Sequence, residues 1–244
     1  MLLLLDFDGT LAPIAPTPDQ AAPPGPALRA VSALAARPDT RVAVISGRAL
    51  EDVRARVGLP GVVYAGNHGL EVAGPGLRVE QPAAVAAASV LADCADRLRK
   101  RFDGSSGVLV EDKRLTLSVH YRLAPEQDHD AVRRAARETC DGLQGLRVTE
   151  GKRVVEIRPD VDWDKGRTAR FLLDALEIPD AAPVLYIGDD ATDEDAFRAL
   201  DGRGDGVIVA DPVPADTAAA FFLRSPAEVV VLLEALAAGD RPSP

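Results

Sequence analysis

The chain opens on an unbroken apolar run, "MLLLLDFDGTL", and runs of the same kind recur as "RVAVISG", "GVVYAG", "APVLYIGDD" and "DGVIVA". Continuous hydrophobicity, in place of alternation, marks strands covered on both faces of a parallel sheet. Between the runs the period changes. "PALRAVSALAA" carries its apolar residues at helical spacing, and "ALEDVRARVG" ends on Gly58, a helix-stopping residue. This β–α–β–α order predicts an α/β fold: a doubly wound, Rossmann-like parallel sheet with helices on both faces.

The middle of the chain breaks that order. It reads as one long helix ("AAVAAASVLADCADRLRKRF"), a hairpin ("GVLVEDKRLTLSVHYR"), a second helix ("EQDHDAVRRAARETCDGL") and two more strands ("LRVTE", "KRVVEIRP"). The parallel pattern resumes with "DKGRTARFLLDALEI". The expected organisation is a discontinuous core, residues 1–80 and 160–244, with an inserted α+β cap domain over residues 81–159. In "LTLSVHYR", strict alternation puts Leu115, Leu117, Val119 and Tyr121 on one strand face and Thr116, Ser118, His120 and Arg122 on the other.

Composition narrows the function classes. A net charge of −10 argues against a nucleic-acid surface, and an aromatic content of 4% argues against base-stacking platforms. The leucine run is cut off by Asp6 and Asp8, too soon for a signal peptide or a membrane span, so no membrane partner and a cytoplasmic location are expected. Cys94 and Cys140 are too few for a disulfide framework and are expected as buried free thiols. A monomer is expected.

In doubly wound sheets, ligands sit outside the carboxyl ends of the strands. Each expected core strand delivers polar groups there: Asp6 and Asp8 after the first, Ser46-Gly47-Arg48 after the second, Asn67-His68 after the third, and Asp189-Asp190 after the fourth, with Asp193 close behind. Lys165 starts the helix leading into that fourth strand. So many carboxylates brought together repel unless a cation sits among them, and hard oxygen ligands beside a phosphate suit Mg²⁺. Asp6 can then act as a nucleophile on phosphorus, with Asp8 as general acid and base. Lys165 would neutralise charge, while Ser46 and the neighbouring N–H groups of the Ser46-Gly47-Arg48 turn would hold phosphate oxygens. Each piece alone is ordinary: a D-x-D at a strand end is commonly a turn or helix cap. Four such pieces in order, each in its expected structural context, point to phosphoryl transfer.

"DFDGTL", "VISGR", "DKG" and "GDDATDEDAF" resemble the four ordered motifs of the haloacid-dehalogenase (HAD) superfamily of phosphatases. The resemblance implies an HAD-like core, Asp6 as nucleophile, Asp8 as acid/base, and Ser46 and Lys165 as phosphate ligands. It also implies Mg²⁺ held by Asp6, Asp189 and the carbonyl of Asp8, with Asp190 a further candidate in the acidic cluster. "AGNHGLE", "VEDKRLTLSVHYR" and "GKRVVEIRP" narrow the similarity to trehalose-6-phosphate phosphatases, which act at the last step of trehalose biosynthesis. By that resemblance Glu111, Lys113 and Glu156 bind sugar hydroxyls, Arg122 and Arg48 assist at the phosphate, and Asn67 and His68 line the boundary of core and cap. His120 and Arg158 share the polar strand faces with these groups and join the substrate-binding set. The implied partner is a small sugar phosphate. With its first motif at residue 6, the chain reads as the phosphatase alone, without the synthase-like domain some relatives carry. Open alternatives are a phosphatase for sucrose phosphate or mannosyl-phosphoglycerate, a phosphomannomutase-like enzyme, a phosphorelay receiver and a degenerate sugar-phosphate-binding protein.

Overall fold

The computed structural model describes residues 1–239; residues 240–244, which close the expected second core segment, lie outside the described residues. Strand β1 (Leu2–Asp6) is buried along its whole length. Side chains alternate across a strand. Leu3 and Leu5 therefore pack into one apolar cluster, and Leu2 and Leu4 into another on the opposite face. Both faces of β1 are covered, which is why the run is continuous and does not alternate.

The chain continues through α1 (Gly25–Ala35), β2 (Arg41–Ile45), α2 (Leu50–Val57), β3 (Val63–Gly66), β4 (Glu71–Gly74) and β5 (Leu77–Glu80). Helix α2 stops where expected: Gly58 adopts a left-handed conformation and its N–H returns to the carbonyl of Arg54. The proline-rich segment before α1 holds a single 3₁₀ turn, Pro18–Gln20. A second unit then contributes α3 (Pro82–Ala86), α4 (Ala88–Arg101), β6 (Leu109–Asp112), β7 (Leu117–His120), α5 (His129–Cys140), β8 (Leu146–Gly151) and β9 (Val154–Pro159). The core resumes with α6 (Lys165–Ala175), β10 (Val184–Gly188), α7 (Asp193–Ala199), β11 (Asp205–Val209), β12 (Phe221–Leu223) and α8 (Pro226–Ala238).

By contacts, the chain divides into Met1–Val79 with Trp163 onward, and Glu80–Asp162. Among the described residues the first unit is built on a sheet in the order β12-β11-β10-β1-β2-β3-β4-β5. Pairing is parallel from β12 to β3, and β4 runs antiparallel to β3. Strand β1 lies between β10 and β2, so the chain leaves it towards opposite sides of the sheet. That is the point at which a crevice opens at the carboxyl ends of the strands. Strands β4 and β5 are additions that the sequence pattern does not predict; both are short, and β5 is only half-buried.

The second unit is α+β in its own right. Its sheet runs β6-β7-β9-β8, antiparallel throughout. One face, carrying Leu117, Val119, Val155 and Ile157, packs on Leu91, Cys94, Ala95 and Leu98 of α4 and on Val132, Ala135 and Ala136 of α5. The α4 residues fall at i, i+3, i+4 and i+7, the spacing of a single helix face. Where the sequence predicts one helix the structure has two. The N–H of Ala87 is shared between the carbonyls of Ala83 and Ala84, a 3₁₀-type tightening that ends the first helix. Cys94 and Cys140 are buried and free, as expected.

Leu5 is fully buried in the centre of the core sheet. Leu5→Ala is expected to lower stability by about 2–5 kcal/mol, because the removed methyls leave a cavity the sheet cannot close. The measurement is the denaturant midpoint at unchanged slope; an unmoved midpoint would contradict this placement of the strand.

Candidate functional site

The period of β1 decides which carboxylate is buried. Asp6 follows Leu2 and Leu4 on the sheet face covered by α6 and α7, and meets Lys165 at the start of α6. The Lys165 ammonium lies 2.6 Å from Asp6 Oδ1 and 2.7 Å from Asp193 Oδ1, and all three side chains are buried. Asp193 is held by four donors. Tyr186 OH and Lys165 Nζ donate to Oδ1, while the N–H groups of Asp189 and Asp190 donate to Oδ2. Asp190 closes the same turn by accepting from the N–H and hydroxyl of Thr192.

The electrostatics of this cluster are unbalanced. Burial pushes the Asp6 carboxyl well above the ordinary range; Lys165 pulls it back, and Asp193, Asp189 and Asp190 push it up again. Burial lowers the lysine, but Asp193 and Asp6 outweigh it, so Lys165 stays charged. Burial and Asp193 raise the Tyr186 phenol, which remains a donor. Burial alone would raise Asp190, but Lys165 and the bonds from Thr192 bring it down to about 2.

One ammonium therefore faces several carboxylates, and oxygens of Asp6, Asp189 and Asp193 lie within 4.8 Å of one another. This acidic cluster fits a metal ion. Because both oxygens of Asp193 already accept two N–H or O–H groups each, Asp6 and Asp189 are the groups suited to face the ion, with Asp193 orienting the turn and the lysine. Among the described residues the cluster of side-chain oxygens does not include Asp190, a further candidate from the sequence; for Asp8 the expected ligand is the backbone carbonyl, and its side chain lies outside the cluster. Gly9 makes the approach possible. It sits at φ +86°, and a Cβ there would lie 2.3 Å from Asp189 Oδ2.

Asp8 faces elsewhere. Its two oxygens accept from Nε (2.7 Å) and Nη2 (2.8 Å) of Arg48, a bidentate pair, and the guanidinium also lies over the Phe7 ring. Arg48 Nη1 donates to Asp52, four residues on along α2, which in turn accepts from Arg56. The sequence expectation sets Arg48 at a phosphate; the structure gives it Asp8 as partner. Burial lowers the Arg48 guanidinium, but the hydrogen bonds and charges of Asp8 and Asp52 outweigh it and hold it fixed in its charged form. Ser46 Oγ accepts the N–H of Arg48 at 3.1 Å, which leaves its own O–H to donate. Gly47 gives room to the next loop, since a Cβ there would come 2.8 Å from the His68 ring. In that loop Asn67 donates its N–H to Arg48 O and His68 donates to Ser46 O. Trp163 Nε1 donates to Gly69 O.

The second unit has its own polar face. Register sets Glu111 opposite Ser118, Ser118 opposite Glu156, and Glu156 opposite Thr149. Alternation puts this row on the side away from the helices, two carboxylates flanking a serine. His120 Nε2 lies 2.7 Å from Glu111 Oε2, Arg158 Nε donates to Glu156 Oε2 at 3.0 Å, and Lys113 Nζ stands 3.7 Å from Glu156. Arg122 donates to the carbonyl of Lys152.

Sequence reasoning missed Tyr186, Asp52 and Glu71. Asp52 had a signal, its position four residues before Arg56 on α2 and four after Arg48, which precedes that helix. Tyr186 had none, because a tyrosine inside a buried strand reads as packing.

A family model described as trehalose-phosphatase matches residues 4–227. A trehalose-phosphate phosphatase of Mycobacterium marinum is 46% identical over 235 residues, covering 93% of this chain and 59% of that protein. The chain thus spans about three fifths of the length of the curated relatives it matches. The crystal structure of the C-terminal domain of a C. albicans trehalose-6-phosphate phosphatase superposes with TM-score 0.83 at 27% identity, over 98% of this chain and 91% of that one. A haloacid dehalogenase-like hydrolase from Bacteroides thetaiotaomicron shares the fold, with TM-score 0.68 at 17% identity over 96% and 98% of the two chains.

The Asp190 environment yields a pH prediction. Its carboxyl sits at about 2 in the folded chain against 3.8 ordinarily. The unfolded chain binds more protons between those values, so this contribution is present above about pH 4 and lost as pH falls through about 2. It is worth about 2 kcal/mol. Asp190→Asn removes it, so the gap in unfolding free energy between wild type and variant, measured in EDTA, is expected to shrink across that window. A gap constant with pH would refute it.

Proposed function

The chain belongs to the trehalose-phosphatase family, and on that premise we propose that it hydrolyses trehalose 6-phosphate to trehalose and phosphate through an aspartyl-phosphate, with Mg²⁺ as cofactor. The observation that carries the chemistry is the division between two carboxylates two residues apart. Asp6 is buried against Lys165, and Asp8 is held by Arg48 and partly open to solvent.

Asp6 attacks phosphorus while Asp8, protonated on one oxygen released from Arg48 and still held through the other, delivers that proton to the departing sugar oxygen. Asp8, now a carboxylate, takes a proton from the water that attacks the aspartyl-phosphate, and Asp6 is regenerated. Lys165 offsets negative charge at the nucleophile in both steps. The Ser46 hydroxyl and the backbone N–H groups beside it bind phosphate oxygens. Mg²⁺, for which Asp6 and Asp189 are the fitting ligands, supplies the positive charge that the crowded carboxylates and an incoming phosphate both require.

Specificity is proposed to lie in the second unit. Glu111 and Glu156 present acceptors to paired sugar hydroxyls, with Lys113, His120 and Arg158 holding them and Arg122 assisting at the phosphate. A site built on such bonds rejects phosphates that lack the hydroxyls. A cytoplasmic setting belongs to the same reading.

Phosphate release from trehalose 6-phosphate, sucrose 6-phosphate, glucose 6-phosphate, mannosyl-phosphoglycerate and p-nitrophenyl phosphate, each with Mg²⁺ or EDTA, tests the proposal. Preference for trehalose 6-phosphate that is lost in EDTA is expected; preference for another sugar phosphate would keep the chemistry and displace the substrate. Asp6→Asn is expected to abolish turnover on every substrate, since an amide does not replace this nucleophile. Glu111→Ala and Glu156→Ala are expected to cut kcat/KM for trehalose 6-phosphate about 100-fold or more while sparing the aryl phosphate. Equal losses on both would mean that the fold, not the sugar contact, was damaged.

A further inference from the structure

Glu71 opens β4 and is buried, and nothing in the proposed chemistry uses it. Its Oε1 accepts two hydrogen bonds, from the backbone N–H of Leu50 at 2.8 Å and from Asn67 Nδ2 at 2.7 Å. Both donors explain themselves. Helix α2 begins at Leu50 behind Ala49, which has no side-chain oxygen to cap the first turn, so the glutamate caps it from a neighbouring strand. Asn67 is fully buried with its backbone in the left-handed region at φ 50°, followed by His68 at φ 59°. Two successive non-glycine residues in that region are strained and persist only where their surroundings hold them.

That strained loop holds the Ser46-Gly47-Arg48 turn in place. Asn67 N–H donates to Arg48 O at 2.7 Å, and His68 N–H donates to Ser46 O at 2.8 Å. One carboxylate oxygen therefore ties the segment from Arg48 to Leu50 at both ends: Leu50 directly, the Arg48 peptide through Asn67. The guanidinium of the residue at that second tie, Arg48, holds both oxygens of Asp8.

We propose that Glu71 is a positioning residue for the proton transfers of Asp8, acting through the Arg48 turn. The proposal rests on the phosphatase reading above. Truncating Glu71 leaves the buried Asn67 amide and the first turn of α2 short of an acceptor, and the turn relaxes. Displacing a reacting group by about 1 Å costs about 100-fold in rate.

Leaving-group dependence separates this role from a merely structural one. A sugar alkoxide must be protonated as it departs, whereas p-nitrophenolate leaves without help, so misplacing the acid hurts the first far more. Glu71→Ala is therefore expected to lower kcat/KM for trehalose 6-phosphate by about 10- to 100-fold and for p-nitrophenyl phosphate by no more than about threefold. In an Arg48→Ala background the same substitution is expected to add no further difference between the substrates, because the path to Asp8 is already cut. Equal losses on the two substrates, no loss on either, or a full additional loss in the Arg48→Ala background would each overturn the proposal. Should Glu71→Ala fail to fold, Glu71→Met, which keeps the bulk and offers no acceptor oxygen, is read by the same substrate ratio. A wild type silent on every phosphate of the panel would sink the phosphatase reading itself. An active wild type with an unchanged ratio in the variants would sink only the role of Glu71.

Discussion

The core of this molecule is organised around one buried ammonium. Lys165 bridges Asp6 and Asp193, and those three groups come from β1, the start of α6 and the start of α7. Burying a charge costs several kcal/mol, and the cost is offset only when geometry and further hydrogen bonds satisfy the partners. Asp193 meets that demand with four donors, one of them a tyrosine hydroxyl reached from inside a buried strand. Asp6 does not. It keeps the lysine and is otherwise surrounded by like charge, so its carboxyl is pushed upward. The structure thus leaves the proposed nucleophile under-compensated, the condition in which a bound cation and an anionic substrate bring the largest electrostatic gain.

The sheet topology makes that concentration of charge possible. Parallel strands send all their carboxyl ends to one edge, and β1, at the point where the strand order reverses, has open space beyond it and neighbours on both sides. Leucines at positions 2 to 5 anchor the strand on both faces. An aspartate at position 6 then inherits the orientation of Leu2 and Leu4, while Asp8 lies inside the tight turn in which Gly9 N–H and Ala12 N–H pair with the carbonyls of Ala12 and Phe7. Apolar burial supplies the stability, and polar groups appear only where the strands have run out.

For the same reason much of the arrangement was legible in the sequence. Val, Ile and Leu runs that end in Asp, Ser-Gly-Arg or Gly-Asp-Asp announce both the strands and the edge at which they meet. Lys165 was legible as the start of the helix leading into the fourth strand, and in the structure that helix begins at Lys165, with Asp164 accepting the N–H of Arg167. The illegible part consists of partners chosen by tertiary packing. Nothing in "SGR" says that the guanidinium will clamp Asp8, and nothing in "NHGLE" says that the glutamate will cap a helix starting at Leu50. Strands β4 and β5 escaped notice because neither carries an apolar run: "EVAG" holds a glutamate and a glycine, and "LRVE" has two charged residues among four.

The carboxylate that ends β1 and the one two residues beyond it show how position alone separates two environments. They share a residue type and differ by two positions, yet Asp6 is nearly inaccessible beside an ammonium while Asp8 keeps 37% of its side chain exposed beside a guanidinium. A nucleophile benefits from exclusion of water, since desolvation strengthens its interaction with phosphorus and with any cation. A group that gives up a proton and later takes one needs the opposite, an open path to the leaving oxygen and to water, with its orientation fixed by a partner that does not titrate. Arginine meets that requirement, because it stays charged across the working pH range and its planar fork can hold one carboxyl oxygen while the other carries the proton. The rigidity of Asp8 is then only as good as the rigidity of the turn that carries Arg48. That dependence explains why a buried carboxylate on a neighbouring strand, remote from phosphorus, is worth its desolvation.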